Sequence, residues 1–450
     1  MAKPDGNQRD ICGSEAGDPG VEPLIVRSTP VPDPGDLLGE IPVPAAFAWV
    51  RHEAGLVGWG EAAKITLPTG DDRFTAGEKR LRELFDSADV RDEAGCRGSG
   101  LVAFGSFTFD SCSDGSVLVV PRVLLGRDGR GAAWLTTITP AGEAAAGTDP
   151  AKTVPAGTVP AEAAKAARVP VTAQSRISWH DGSLSAMAWQ RAVATAVSRI
   201  GRGDLRKVVL ARDLFAEADR PLDQRVLLRR LADRYPDCFT FACAGLIGAT
   251  PELLIRRDGG EVSSLVLAGT MPRGATPEKD ARIAAALLGS AKDNEEHDYA
   301  VVSLREVLEP LCEHLDVAAR PELIQLANLQ HLGTRVRGTL SADWSALALA
   351  AALHPTAAVG GTPTDVAVEL IRELENMDRE RYAGPVGWVD ADGNGEWCIA
   401  LRCAQLDTSD GTTARLFAGC GIVAGSDPAT ELAEAQVKFR PMQTALEQAD

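Results

Sequence analysis

The amino-acid sequence predicts an α+β fold with a largely antiparallel sheet. Two patterns point there: strand-like runs fall in hairpin-like pairs, and helical periods alternate with them through the second half of the chain. Ala46–Val50, Gly100–Phe104 and Ser116–Pro121 open the series as short apolar runs separated by Gly, Asp and Pro. Between about Thr139 and Ala173 the chain turns Ala/Pro/Thr-rich, with prolines at 140, 150, 155, 160 and 170, which predicts a long surface connection. Ser185–Ile200 then reads as a helix, because Trp189, Val193, Val197 and Ile200 recur every three or four residues and Gly201 and Gly203 end the run. Arg206–Arg212 reads as a strand, Leu222–Tyr235 as a helix, and Phe239–Ile247, Leu253–Arg256 and Ser263–Leu267 as further strands. A long helix is expected over Asp293–Leu315, with Val301, Leu304, Leu308, Leu311 and Leu315 on one face. Strands resume at Gly384–Val389, Glu396–Leu406 and Ala414–Ala418, and a last helix starts near Asp427-Pro428, an aspartate cap followed by a first-turn proline. One domain is expected over residues 21–450 after a polar tail at 1–20. It divides into a strand-rich part (21–138), the connection (139–173) and a C-terminal part (174–446) that holds the chemistry.

With 450 residues, 45% hydrophobic and 24% charged, the chain has the composition of a soluble globular protein. Its formal charge of −17 argues against a nucleic-acid or anionic-membrane partner, so an anionic small substrate would need a local cluster of cations. No apolar run reaches the roughly 18–20 residues of a membrane span, and Met1–Gly20 lacks an apolar signal segment, so a cytoplasmic location is expected. Nine cysteines without a C-x-x-C pair and six histidines without an H-E-x-x-H spacing point to neither a disulfide framework nor a zinc site.

Several residues invite chemistry. Strand alternation sets Lys207 on one face with Val209 and Ala211, an unfavourable place for an ammonium unless it is paired or gives up its proton. Lys207 is therefore either a base or a cation reaching water along its stem. Glu431, Glu434 and Lys438 project from one face of the last helix, which suits a hard cation or an ordinary solvated pair. Just upstream, the glycines of Phe417–Val423, Gly419 among them, let backbone amides approach a ligand. Glu296 would complete an all-oxygen pair with Glu434 suited to Mg²⁺, although the helix dipole alone accounts for acids near a helix start. Glu252 follows Pro251 and precedes an apolar run, which fits either a proton-donating carboxyl at a strand entrance or an exposed loop glutamate. Arg402, in Ile399–Ala404, repeats the Lys207 pattern; buried, it requires an anionic partner, either a substrate carboxylate or a structural ion pair.

Taken in order, Lys207–Arg212 (KVVLAR), Thr250–Leu254 (TPELL), Leu267–Thr270 (LAGT), Glu296-His297, Gln330–Leu332 (QHL), His354–Gly361 (HPTAAVGG), Tyr382–Gly384, Gly387-Trp388, Ala418–Val423 (AGCGIV), Glu434 and Lys438 resemble the chorismate-utilising enzymes. The resemblance covers about residues 185–446. It implies a single α/β sandwich of largely antiparallel sheets flanked by helices, related to anthranilate synthase component I. A lysine at the position of Lys207 marks members that add water to chorismate, the isochorismate and salicylate synthases; members that take ammonia from a glutamine amidotransferase subunit lack it. The resemblance thus implies a monomer without such a subunit, chorismate as substrate, Mg²⁺ as cofactor and isochorismate as product, for menaquinone or siderophore synthesis. It assigns Lys207 as the base toward the water attacking C2 and Glu252 as the acid toward the departing C4 hydroxyl. Glu296 and Glu434, with Glu431 close by, would hold Mg²⁺ and through it the ring carboxylate. Arg402, Lys438 and amides near Gly419 would meet the enolpyruvyl carboxylate. Gly269 and Thr270 would line the ring, with His331 and Tyr382 nearby. Ala358 stands where salicylate synthases tend to carry a hydroxyl residue, which favours an isochorismate synthase over one that goes on to eliminate pyruvate. Thr250 replaces the usual serine before Pro-Glu, and Cys420 replaces a common alanine. A catalytically silent chorismate-binding protein is the competing reading from another class.

Overall fold

The strand expected at Lys207 runs from Lys207 to Ala218 and is paired along both edges. Thr413–Ile422 lies antiparallel along one edge; Ile177–Asp181 and the two-residue strand Gly361–Thr362 share the other. Covered on both faces as well, every residue from Lys207 to Asp213 is buried, which explains a run of apolar residues too continuous for a half-exposed strand. This is a computed structural model, and it describes residues 22–145, 175–327 and 329–447.

Among the described residues the strands form two large sheets of 13 and 10 strands. Pairing is antiparallel except between Leu24–Val31 and Asp89–Asp92. The larger sheet continues from Thr413–Ile422 through Cys403–Leu406, Leu246–Thr250 and Phe239–Cys243 to Ala46–Arg51 and the other N-terminal strands. The smaller sheet runs from Cys312–Val317 through Leu329–Leu340, Glu261–Pro272, Leu253–Asp258, Gly395–Ile399 and Pro385–Asp390 to Val102–Ser106 and its neighbours. One apolar core draws on both, with Trp189, Phe104, Phe107, Phe241 and Trp397 at or near zero exposure. The α+β class with largely antiparallel sheets is therefore correct.

Helices cover the sheets. Ala186–Gly201 begins at Ser185, whose hydroxyl accepts from Ala188 N at 3.3 Å, and packs on the final helix, Pro428–Glu447. That final helix starts where Asp427 Oδ1 accepts from Thr430 N at 2.9 Å, as the sequence suggests. Among the described residues no helix is long and apolar enough to cross a membrane.

Three elements differ from expectation. The long helix covers Ala291–Leu308 and gives way at Glu309–Leu311, where Pro310 cannot continue it. Leu311 and Leu315, in register with the helix by spacing, belong instead to this turn and to the strand Cys312–Val317. The run Phe239–Ile247 is a hairpin of two strands, Phe239–Cys243 and Leu246–Thr250, turning at Ala244 (φ 48°) and Gly245 (φ 84°). The run Glu396–Leu406 breaks at Ala400–Arg402, and its two halves lie in different sheets. Residues 139 and 140 end the strand Ala133–Pro140 and 141–145 form a short helix; the expected tail at 1–20 and the rest of the 139–173 connection lie outside the described residues.

Candidate active site

The chain passes between the sheets twice at one place. From Thr250 to Leu253 it leaves the larger sheet for the smaller, and from Ile399 to Cys403 it returns. Glu252 stands on the first crossing and Arg402 on the second, where a left-handed φ of 49° turns the chain. The crossings are tied together: Thr250 Oγ1 donates to Ile399 O at 2.7 Å and Ile399 N donates to Glu252 O at 3.2 Å. The threonine before Pro-Glu thus uses its hydroxyl, the one group it shares with serine.

The crossings open on a pocket whose walls come from both sheets. It is lined by Glu252, Gly269, Thr270, Glu296, His331, Ala358, Tyr382, Arg402, Gly419 and Lys438, all singled out from the sequence, together with Val209, Val359, Arg379, Leu401 and Phe417. Lys207, Glu431 and Glu434 stand outside this lining and reach it through neighbours. Lys207 is fully buried, with Nζ 3.4 Å from Glu296 Oε1 and 3.5 Å from Glu296 O. Glu434 Oε1 accepts from Lys438 Nζ at 2.7 Å, and Lys438 also donates to Gly419 O at 2.9 Å. Glu431, 1% exposed, accepts from Lys292 at 2.5 Å.

Local sequence explains these placements. At Gly269 (φ 67°) a bulge shifts the register between Ala268 and Thr270, and a side chain there would crowd Asp293 at 3.0 Å. Beyond the bulge Thr270 Oγ1 lies 3.1 Å from His331 Nδ1. Gly421 leaves room for Glu296, whose carboxylate oxygen would lie 2.0 Å from a Cβ at that position. Tyr382 stacks on Phe417, ring centroids 5.1 Å apart, and its hydroxyl faces Gly419.

The electrostatics separate the acids. Burial raises Glu252 to about 8, against the pull of Lys207, Lys438 and Arg402, so its carboxyl holds a proton at neutral pH. Burial would also raise Glu296, but Lys207, Lys438 and Lys292 outweigh it and hold the group below the usual carboxylate range. Burial opposes the charge of Lys438, yet Glu434 carries it above the ordinary lysine range. Burial, with Arg402 and Lys438 nearby, drives His331 well below its ordinary range, so its ring is neutral. Arg402 is buried and pairs with no carboxylate among the described residues, leaving a guanidinium turned to the pocket.

Cys420 Sγ and carboxylate oxygens of Glu431 and Glu434 lie within 4.8 Å of one another. Burial and then the charge of Glu434 raise Glu431, so these two carboxylates repel each other. The Cys420 thiol, pushed well above its ordinary range by burial, donates to Glu431 O at 3.3 Å and is no ligand for a hard ion. Glu431 and Glu434 thus offer two oxygen ligands of the kind a Mg²⁺-type ion takes, with Lys292 and Lys438 as their present counter-charge, and Glu296 lies outside this group.

Sequence reasoning missed the pair that carries one wall. Arg379 Nη2 donates to Glu375 Oε1 at 2.5 Å and to Val209 O at 2.7 Å, and Nη1 donates to Val359 O at 2.9 Å. Glu375 accepts in turn from Ala211 N at 2.6 Å. A glutamate on the apolar face of the helix Thr364–Glu375, four residues before an arginine, was the available signal.

Residues 40–447 match the family described as chorismate binding enzyme. Isochorismate synthase MenF of Bacillus subtilis (strain 168) is 36% identical over 427 residues, covering 89% of this chain and 87% of that protein. The solved structure of MenF, the menaquinone-specific isochorismate synthase from Escherichia coli, superposes with a TM-score of 0.76 at 24% identity over 95% of each chain. Anthranilate synthase component I from Streptococcus pneumoniae TIGR4 superposes with a TM-score of 0.66 at 22% identity, over 89% of this chain and 92% of its own.

Proposed function

The chain belongs to the chorismate-binding enzyme family, and from that premise we propose that it converts chorismate to isochorismate with Mg²⁺, for menaquinone or siderophore synthesis. The observation that carries the reading is one pocket shared by a carboxyl that is protonated at neutral pH, Glu252, a guanidinium with no carboxylate partner among the described residues, Arg402, and the ionised Glu296. In this reading Glu252 gives its proton to the departing C4 hydroxyl, while Lys207 takes one from the water that attacks C2. Arg402 and Lys438 bind the enolpyruvyl carboxylate, with Gly419 and Tyr382 beside them, and Gly269, Thr270 and His331 line the ring. Glu296 and Glu434, with Glu431 behind them, hold the cation, which supplies positive charge to the ring carboxylate when bound. Glu296 then has a second counter-ion besides Lys207, which leaves the lysine free to serve as base. Ala358 offers a methyl and no hydroxyl to the pocket, which favours release of isochorismate over pyruvate elimination. The protein is read as a cytoplasmic monomer that needs no glutamine amidotransferase subunit.

The test is incubation with chorismate and Mg²⁺. Isochorismate without stoichiometric pyruvate is expected. Salicylate with equimolar pyruvate would reassign the chain to salicylate synthesis, ammonia-dependent product would reassign it to amination, and binding without turnover would support the silent protein.

A further inference from the structure

Glu252 lines two cavities. One is the candidate active site; the other is a small chamber bounded mainly by apolar side chains, including Leu254, Val266, Leu304 and Ile399. Two hydroxyls reach this chamber. Ser264 is committed, donating to Leu253 O at 3.1 Å. Thr356 is 5% exposed, and its Oγ1 has no hydrogen-bond partner among the described residues. Its backbone is fixed, since Thr356 O accepts from Val359 N at 3.1 Å and from Gly360 N at 2.9 Å. A buried hydroxyl calls for a partner, and Glu252 is the one ionisable residue on the lining of this chamber.

We propose that Thr356 is a positioning residue for Glu252, its hydroxyl donating to the carboxyl across this chamber through one enclosed water. A donor on that side assigns the acceptor oxygen of the neutral carboxyl to the chamber and leaves its O–H for the pocket. When the O–H bond breaks and the proton passes to the departing C4 oxygen, the same hydrogen bond meets the carboxylate that remains. The charged groups that bear on Glu252, namely Lys207, Lys438 and Arg402, are the same with or without this hydroxyl. The proposal rests on the reading of Glu252 as the general acid.

Thr356→Val keeps the shape and removes the donor, Thr356→Ser restores the donor, and Thr356→Ala serves if the valine variant fails to fold. A donor favours the ionised carboxyl, so its loss must raise the pKa of Glu252. We expect the valine variant to lose about tenfold or more in kcat with KM little changed, the loss of one hydrogen bond to a charged group. The high-pH limb of its rate profile should move upward, and serine should return it. A limb at the wild-type position, or serine behaving like valine, overturns the proposal. In the substrate-free protein, the carboxyl infrared band assigned by its loss in Glu252→Gln should titrate at higher pH in the valine variant. That readout holds even if chorismate is not turned over, so failure of the functional reading stays distinct from failure of this one.

Discussion

Glu252 and Lys207 are both buried ionisable groups at the centre of the molecule, and their surroundings treat them differently. Glu252 is raised to about 8 because burial outweighs three nearby cations. Its acid form is the one that donates, so kcat/KM should fall as pH rises through about 8, and Glu252→Gln should abolish turnover. The same shift has a sign for stability. The folded pKa lies above the ordinary value of about 4.3, so the folded state holds this proton more tightly than the unfolded chain, and stability from this group declines between those two values. Glu252→Gln carries no such penalty. Its Tm relative to wild type should therefore climb by a few degrees between pH 5 and pH 8.5, and a constant difference in thermal melts would refute the burial argument. Lys207, by contrast, has the Glu296 carboxylate 3.4 Å away. Lys207→Ala should lose about a hundredfold or more in isochorismate formation while far-UV circular dichroism stays native; retained activity would remove Lys207 as the base.

At the scale of single elements the site depends on close backbone approaches. The strand Thr413–Ile422 passes Glu296 at Gly421, where a methyl group would sit 2.0 Å from a carboxylate oxygen. Gly421→Ala should therefore displace Glu296 and reduce chorismate turnover by about a hundredfold or more, with a melting curve close to wild type. Normal activity would show that Glu296 has another place to go. Elements were legible in the sequence where one rule acted alone. Ser185 and Asp427 mark their helix starts, and the strand at Lys207 is where its apolar run puts it. Competing rules misled. Leu311 and Leu315 continue the helical period of Leu304 and Leu308, yet Pro310 interrupts the backbone hydrogen bonds between them and hands both to the turn and strand that follow. Arg402 looks like a cation inside one strand because apolar residues flank it on both sides, Trp397–Leu401 before it and Cys403 and Ala404 after it; what it marks is a change of sheet, which period-two alternation cannot register. Glu375 and Arg379 stayed hidden for the opposite reason, since a buried ion pair looks like a surface one until the strand that covers it is in place.

Across the whole molecule, a chain of formal charge −17 sets lysines against buried and half-buried acids. Lys207 faces Glu296, Lys292 faces Glu431 and Lys438 faces Glu434, on three segments far apart in sequence that meet where the last helix and the helix Ala291–Leu308 converge behind Gly421. Each pair is internally compensated, so the folded protein does not need a cation to stand; a cation that adds to this arrangement must stabilise the folded state by binding to it alone. At about 100 times its dissociation constant Mg²⁺ should contribute roughly 2.7 kcal/mol, a rise of a few degrees in Tm for a chain of this length. Non-specific screening of an acidic surface would also raise Tm, but would respond to ionic strength whatever the ion and would survive any single carboxylate change. The measurement is thus a pair of thermal melts, MgCl₂ against NaCl at matched ionic strength, on the wild type and on Glu296→Gln and Glu434→Gln. The Mg²⁺-specific increment should be present in the first and lost in both variants. An equal increment in all three proteins would place the ion on the surface and remove these glutamates as its ligands.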